Sequence, residues 1–563
     1  MELIMYRKSN RVFIIGLASS CLILAACSTQ NVTSANKSTH MPSSDKLPAK
    51  YAEVSKQCLA LDGLNLESVG DQPSQIVRAK MVVGEKVEKN QSIYFKKYGH
   101  SQGNPMPEEE SYPDHCLVEG YTTPHIQFAM RLPLNENWNG RFMLAACEAW
   151  CGAVEEEVTV PGLYHGYATL TNNGGHYSRF PFDGVWANDD IRAREYFAHK
   201  ANHVTAQVGK AITEAFYNKK PEYSYITGFS KGGNAGLMAV QRYPEDFDGV
   251  FVKAPVVNYN PKNAAHFPWV SKAVYPDGKT PVIYSDKVAL IQASVLQVCD
   301  SLDGLADGVI DDPRKCQYDP QVLLCETGQS EADNECLNDI QVKAVRKLYA
   351  KPEKDGVVYF DYPTDLGSEL DWPMAIIPIK GAGPTFSYTG AVTGLRYMAT
   401  KTNFGKTFDW LDFDYHSKLD EIAEMSKILD PDAIDLSAFK ERGGKVIIVH
   451  GWADAMISAN MTIDWFEKVR GFMGADTVDT FAQLYIVPGM THGSGGTGPY
   501  VYDAQTALVN WVEKGIIPSH LIMEDEPNTV PFRQRPSYPY PAYSKYKGAG
   551  DPNKITSFEK VPQ

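Results

Sequence analysis

Apolar spacing divides the chain into a short N-terminal apolar block, a polar stretch, and a long body where strand-like and helix-like patterns alternate. Arg7, Lys8 and Arg11 precede an apolar run from Val12 to Ala25, the layout of a secretory signal segment and too short to span a bilayer comfortably. Ser28 to Lys50 has almost no large apolar residue, which predicts a flexible tether and a folded body beginning near Tyr51. Within the body, Asn139 to Gly152 reads as a strand followed by a turn, and Arg194 to Asn218 as a long helix with recurring apolar and alanine positions. Tyr223 to Thr227 is a short β-rich strand, and Asn234 to Tyr243 is helical until Pro244 stops it. Three more buried strands follow at Gly249 to Ala254, Lys445 to His450 and Leu484 to Val487. Strands alternating with helices predict an α/β fold.

At 563 residues the chain exceeds the usual single-domain size, so an added domain or a large insertion is expected. A net charge of -14 disfavours nucleic acid and anionic membrane surfaces as partners. Contact with a membrane is expected only through the N-terminus, where Leu24-Ala25-Ala26-Cys27 resembles a bacterial lipobox. Cys27 would then be the lipidated first residue of an exported envelope protein, with the signal at 1–26 and the tether at 27–50. An ordinary cleaved signal with an incidental cysteine is the plainer alternative. Beyond that segment eight cysteines remain, an even number that suggests disulfides in an exported chain. Sequence neighbours pair Cys58 with Cys116, Cys147 with Cys151, Cys299 with Cys316, and Cys325 with Cys336.

The stretch Tyr225–Leu237, YITGFSKGGNAGL, places Ser230 in a G-x-S-x-G pattern between a strand and a helix. That is the setting of a nucleophile elbow, although a glycine turn with an idle serine would look the same without partners. A serine nucleophile needs a histidine base and an orienting carboxylate, in the chain order Ser, Asp, His for this fold. Asp454 follows the strand Lys445 to His450, and His492 follows the strand Leu484 to Val487. Both lie just past strand ends, where α/β sheets place their sites. His450 reads as a structural hydrogen-bonding residue, and His165, His176, His199 and His203 are weaker candidates for the base. Asp246 and Asp248 rival Asp454 but fall in a helix-to-strand connection. Backbone N–H groups for an oxyanion hole are expected from Lys231, the residue after the serine, and from the turn around Glu148 and Ala149.

A second chemical cluster lies at CDSLDGLADGVIDDPRKC, where Asp300, Asp303 and Asp307 put three carboxylates within eight residues and Asp311 and Asp312 follow. Such crowding repels unless the loop is solvated or holds a cation, and calcium favours carboxylates with backbone carbonyls. Cys299 and Cys316 bracket the loop, and closing it could stabilise by roughly 3 kcal/mol.

The segments WNGRF at Trp138, the Ser230 region, AVQRYPEDFDGVFVKAP, the acidic loop, HGWAD and PGMTHGSGG together resemble the tannase and feruloyl esterase family of α/β-hydrolases, which includes mono(2-hydroxyethyl) terephthalate hydrolases. The resemblance implies an α/β-hydrolase core at 51–255 and 441–563, with a lid inserted at 256–440. It implies a triad of Ser230, Asp454 and His492, and a structural calcium held by Asp300, Asp303 and Asp307 side chains with Leu305 and Val309 carbonyls. It also implies an aromatic ester substrate, for which Phe386, Tyr388, Trp410 and Phe413 are lid candidates, although each fits the lid's own core as well.

Several positions depart from that pattern. The family's cysteines before the serine and after the histidine are replaced by Phe229 and Gly493, so packing is expected in place of a disulfide. Ser537 stands where a C-terminal cysteine is common, and Cys147, Glu148 and Ala149 replace oxyanion-loop glycines. Lys231 and Asn234 replace the commoner threonine and arginine. The leading expectation is a serine hydrolase of hydroxycinnamate, gallate or related esters. A general short-chain esterase and a non-catalytic calcium-stabilised binding protein on the same scaffold remain alternatives.

Overall fold

The computed structural model describes residues 47–86 and 111–562. The signal segment, Cys27 and the tether as far as residue 46 lie outside the described residues. Among the described residues no helix is long and apolar enough to cross a membrane.

A nine-stranded sheet carries the fold. In chain order its strands are β1 (Ser74–Val82), β2 (His115–Thr122), β3 (Ile126–Pro133), β4 (Arg141–Ala145), β5 (Ala168–Asn172), β6 (Tyr223–Phe229), β7 (Gly249–Lys253), β8 (Lys445–Gly451) and β9 (Ala482–Val487). Their spatial order is β1-β2-β3-β5-β4-β6-β7-β8-β9. The first three strands and β5 pair antiparallel, and the run from β5 through β9 is parallel. Parallel strands are covered on both faces, which is why β6, β7 and β8 are almost continuously buried. The chain therefore has the α/β architecture that its pattern predicts, with the mostly parallel sheet of the α/β-hydrolase core that the resemblance implies.

Register aligns the strand ends that matter. Phe229 on β6 pairs with Lys253 on β7, Val449 on β8 pairs with the same lysine, and Gly451 pairs with Val487 on β9. The loops leaving β6, β8 and β9 consequently emerge side by side at one edge of the sheet.

The expected long helix is interrupted. Ile191–Glu195 leads into a π-helical turn at Tyr196–Lys200, and helix α1 (Ala201–Tyr217) continues to a left-handed Asn218. Helix α2 (Lys231–Arg242) starts directly after Ser230, earlier than apolar periodicity alone indicates. Helices α3 (Ala459–Met473) and α4 (Ala504–Lys514) complete the layers around the parallel strands.

Between β7 and β8 the chain contributes no strand to the main sheet; it forms helices at Phe267–Val274, Val288–Cys299, Asp339–Leu348, Phe386–Tyr397 and Leu419–Leu429. One apolar cluster runs without a break from the sheet (Leu144, Ile226, Val252, Ile448) into this insert (Val270, Val295, Trp372, Trp410). Polar ties reinforce the join: the fully buried Arg194 donates to Thr400 O at 2.7 Å, Tyr397 O at 3.0 Å and Asn403 Oδ1 at 2.6 Å. Its Nε donates to Ala187 O at 2.9 Å and one Nη1 contact goes to Met425 Sδ at 3.3 Å, so a single buried guanidinium holds the insert against the core although burial lowers it to about 10.

Disulfides join Cys58 to Cys116, Cys147 to Cys151, Cys299 to Cys316 and Cys325 to Cys336. Bonds of this number mark an exported protein, since reducing compartments keep thiols free.

Candidate active site

Ser230 sits at φ 58° and ψ -115°, a conformation that non-glycine residues rarely adopt and that turns the serine out of line with the strand. Its N–H donates to Lys253 O at 3.0 Å, so β7 holds the elbow from below. The flanking glycines are required by distance: a Cβ on Gly228 would stand 2.1 Å from Gly232 O. The site thus combines a strained serine with a helix N-terminus directly behind it.

His492 and Asp454 meet this serine. His492 Nδ1 donates to Asp454 Oδ2 at 2.7 Å, and its Nε2 lies 3.1 Å from Ser230 Oγ, placed to accept the hydroxyl proton. Asp454 is 1% exposed, and its Oδ1 accepts N–H bonds from Met456 at 2.9 Å and Ile457 at 2.8 Å. Burial alone would raise this carboxyl, but His492 and His450 hold it well below the usual carboxylate range. It is therefore an anion at any working pH.

The rival residues are accounted for elsewhere. His450 places Nε2 2.9 Å from Ile457 O and 3.3 Å from Asp454 Oδ2, with Nδ1 2.9 Å from Thr462 Oγ1, so it buttresses the acid loop. His176 is buried against Trp150 O, His199 meets Tyr243 Oη, and His203 pairs with Asp246. Asp248 pairs with Arg442, and His165 ends a short helix at Val160–Tyr164. None of these reaches Ser230.

The loop after β4 is the neighbour of the elbow. Ala145 pairs with Thr227, Ala146 N–H donates to Thr227 O at 2.9 Å, and Gly232 approaches Ala146 O and Cys147 O closely enough that a Cβ would lie 3.1 and 3.2 Å away. Glu148 follows within a turn closed by the Cys147–Cys151 bond, with Ala149 at φ 51° and Cys151 at φ 55°. Lys231 and the next residues of α2 have no helical acceptors for their N–H groups, as at any helix start. The Lys231 side chain turns away and is buried, its ammonium 4.6 Å from the Phe197 ring centroid, and desolvation lowers it to about 7. The Lys231 ammonium is thus lodged against the π-helical turn, 3.4 Å from Ala198 O.

Phe229 packs against the histidine loop, the packing expected there in place of a disulfide. Its ring lies 4.6 Å from that of His492, and a Cβ on Gly493, at φ +85°, would stand 2.5 Å from Phe229 Cζ. Ser537, at the end of the strand Gln534–Ser537, is buried against β9, its hydroxyl 3.4 Å from Ile486 O.

The acidic loop lies apart from the triad. Asp303, Asp307 and Asp311, with Leu305 and Val309, line a cavity of about 40 Å³ shared with Arg535 and Ser537. Asp300 is not among the lining residues; its carboxylate accepts N–H bonds from Asp307 at 3.2 Å and Gly308 at 3.0 Å. Among the described residues no cluster of three or more His, Cys, Asp or Glu side chains converges as a finished metal cage. The donor set nevertheless suits a hard cation. Burial, with Asp303 and Asp307 beside it, pushes the Asp311 carboxyl well above its usual range; Asp307 pairs with Arg535 at 2.9 Å, and Asp312 pairs with Arg314 at 2.8 Å.

The candidate aromatics of the insert pack on other aromatic rings. Trp410 is buried against Tyr388, the half-buried Phe413 lies edge-on to Phe404, and Phe386 is tilted against Phe182, which contacts Trp150 in the Cys147–Cys151 turn. Sequence reasoning missed Asp371, a buried insert residue whose Oδ2 accepts the His492 N–H at 3.2 Å. An aspartate in an irregular segment distant in sequence carries no signal of that contact.

A serine with a histidine and a buried carboxylate at these distances is one feature; the whole-chain match is the other. The profile described as Tannase and feruloyl esterase matches residues 113–561. The chain belongs to the tannase and feruloyl esterase family. It is 30% identical to the mono(2-hydroxyethyl) terephthalate hydrolase of Piscinibacter sakaiensis, across 79% of this chain and 84% of that one. The crystal structure of feruloyl esterase B from Aspergillus oryzae superposes with a TM-score of 0.74 at 25% identity, covering 90% of this chain and 100% of that one. The tannin acyl hydrolase of Aspergillus niger shares the fold, with a TM-score of 0.69 at 19% identity and coverage of 91% and 96%. As a tannase and feruloyl esterase family member, the protein is a carboxylic ester hydrolase.

Proposed function

We propose that this esterase cleaves esters of aromatic acids through an acyl-enzyme on Ser230. The reading is carried by the unbroken line from Asp454 Oδ2 through His492 to Ser230 Oγ, at 2.7 and 3.1 Å. Ser230 Oγ attacks the ester carbonyl while His492 Nε2 takes its proton, and Asp454 stabilises the imidazolium. The carbonyl oxygen gains negative charge against the N–H groups of Lys231 and Glu148 and the positive end of α2. His492 then protonates the departing alkoxide. Water, deprotonated in turn by His492, releases the acid and restores Ser230. Relatives named for feruloyl and terephthalate esters support an aromatic acyl group.

The decisive experiment is hydrolysis of methyl ferulate, methyl gallate and p-nitrophenyl acetate by the wild type and Ser230→Ala. Turnover of an aromatic ester that falls by roughly 10⁴-fold or more in the variant supports the reading. Turnover of p-nitrophenyl acetate alone favours a short-chain esterase, for which the disulfide-closed loop at Cys147–Cys151 is the supporting observation. Absence of serine-dependent turnover on any ester favours a binding protein.

Calcium is assigned to the acidic loop, with Asp303 and Asp307 as carboxylate ligands, Leu305 and Val309 as carbonyl ligands, and Asp300 and Asp311 completing the set. Its contribution there is structural: it neutralises crowded carboxylates between the insert and the C-terminal segment bearing Arg535. A melting temperature unchanged by EDTA would count against this assignment. The lipobox-like Leu24-Ala25-Ala26-Cys27 supports anchoring of the exported protein through an acylated Cys27, which mass spectrometry of the membrane fraction tests.

A further inference from the structure

The insert segment from Thr364 to Asp371 buries three carboxylates, Asp365, Glu369 and Asp371. Glu369 is occupied locally, accepting from Tyr349 Oη at 2.7 Å. The other two reach the loop of the triad acid. Asp365 accepts the Ser458 hydroxyl at 2.6 Å and the Asn460 amide at 3.0 Å, where α3 begins. Asp371 Oδ2 accepts two backbone N–H groups, from Ala455 at 3.1 Å and from His492 at 3.2 Å. One segment therefore holds both ends of the acid loop, and one oxygen bridges the acid loop to the histidine loop.

We propose that Asp371 is a positioning residue for ester cleavage, whose ionised carboxylate keeps the Asp454 and His492 loops in register and stabilises the imidazolium formed when Ser230 is deprotonated. This rests on the triad reading above. Its physical basis is a charge-assisted pair of hydrogen bonds by which one carboxylate oxygen ties the acid loop to the histidine loop. The charges facing Asp371 are Asp454 from the acid loop and His492 from the loop after β9, with His450 of β8 and Lys262 acting on Asp454. Burial and the Asp454 charge push Asp371 up to about 6, against the opposing pull of His492. At neutral pH the carboxylate is therefore charged, and His492 interacts with two anions, Asp454 at its ring and Asp371 at its backbone N–H.

The test uses the full-length enzyme and two readouts between about pH 5 and 9: kcat/KM for p-nitrophenyl acetate and the rate of Ser230 labelling by an alkyl fluorophosphonate. Asp371→Asn is the deciding variant, because it preserves shape and one acceptor oxygen and removes only the charge. Its acid limb is expected to move down by roughly one pH unit, with a plateau kcat lowered roughly tenfold. Asp371→Ala, which also loses the acceptor, is expected to lose roughly 100-fold. A purely structural carboxylate would shift the melting temperature and leave the acid limb in place; that result in Asp371→Asn overturns the proposal. A wild type that the probe does not label at Ser230 overturns the triad reading together with it, whereas a labelled wild type with an unchanged variant profile overturns this proposal alone.

Discussion

Gly493→Ala is the sharpest perturbation of the packing that stands in for a disulfide. Gly493 adopts φ +85°, where an alanine costs about 1–2 kcal/mol. Its added Cβ would meet Phe229 at 2.5, 2.7 and 3.1 Å, all ring atoms of a buried side chain, and overpacking of this kind costs about 1–3 kcal/mol more. The single variant should thus lose about 2–5 kcal/mol. Because the Phe229 ring lies 4.6 Å from His492, its displacement should carry the base off Ser230 and lower kcat/KM about 100-fold. Phe229→Ala alone leaves a cavity beside His492 and should cost about 3–5 kcal/mol. In the double variant the clash is gone, so adding Gly493→Ala to Phe229→Ala should cost only the backbone term of about 1–2 kcal/mol. The cycle therefore carries a favourable coupling of about 1–3 kcal/mol. Urea unfolding with disulfides intact measures it, and p-nitrophenyl acetate hydrolysis follows the base. Additive stability losses, with no coupling, would refute the claim that Phe229 and Gly493 are matched.

Other outcomes follow from buried groups. Asp430 is 3% exposed, accepts the Asn260 N–H at 2.8 Å, and is pushed up to about 8 by burial. The native state then keeps a proton that the unfolded chain has released, so stability falls as pH rises from about 4 to about 8, by about 1.4 kcal/mol per unit. Asp430→Asn mimics the neutral acid and should flatten that slope in a melting series against pH; an unchanged slope argues against a protonated Asp430. Replacing Cys147 and Cys151 together by serine should lower kcat by about tenfold or more with KM little changed, since the turn carrying Glu148 loses its closure. The matching replacement of Cys325 and Cys336, remote in the insert, should leave kcat alone.

The local chemistry of this protein was legible in its sequence because each part is short-range. A strand, glycine and serine, then a helix specify the elbow at Ser230, and loops just past two apolar strands expose Asp454 and His492. The order Ser, Asp, His and the spacing of cysteines and carboxylates are likewise properties of chain order. Early helix initiation at Lys231 escaped apolar periodicity because the elbow's backbone, rather than a hydrophobic face, starts that helix. Sheet order and register depend on long-range pairing, and only they bring the ends of β6, β8 and β9 together to give the 2.7 and 3.1 Å contacts. Phe229 against Gly493 became a packed pair only when two loops far apart in the chain met. Asp371 shows the limit most clearly. Nothing near it in sequence marks it, because its function lies in two N–H groups supplied by other loops, and only burial of the insert against the sheet brings them to one oxygen.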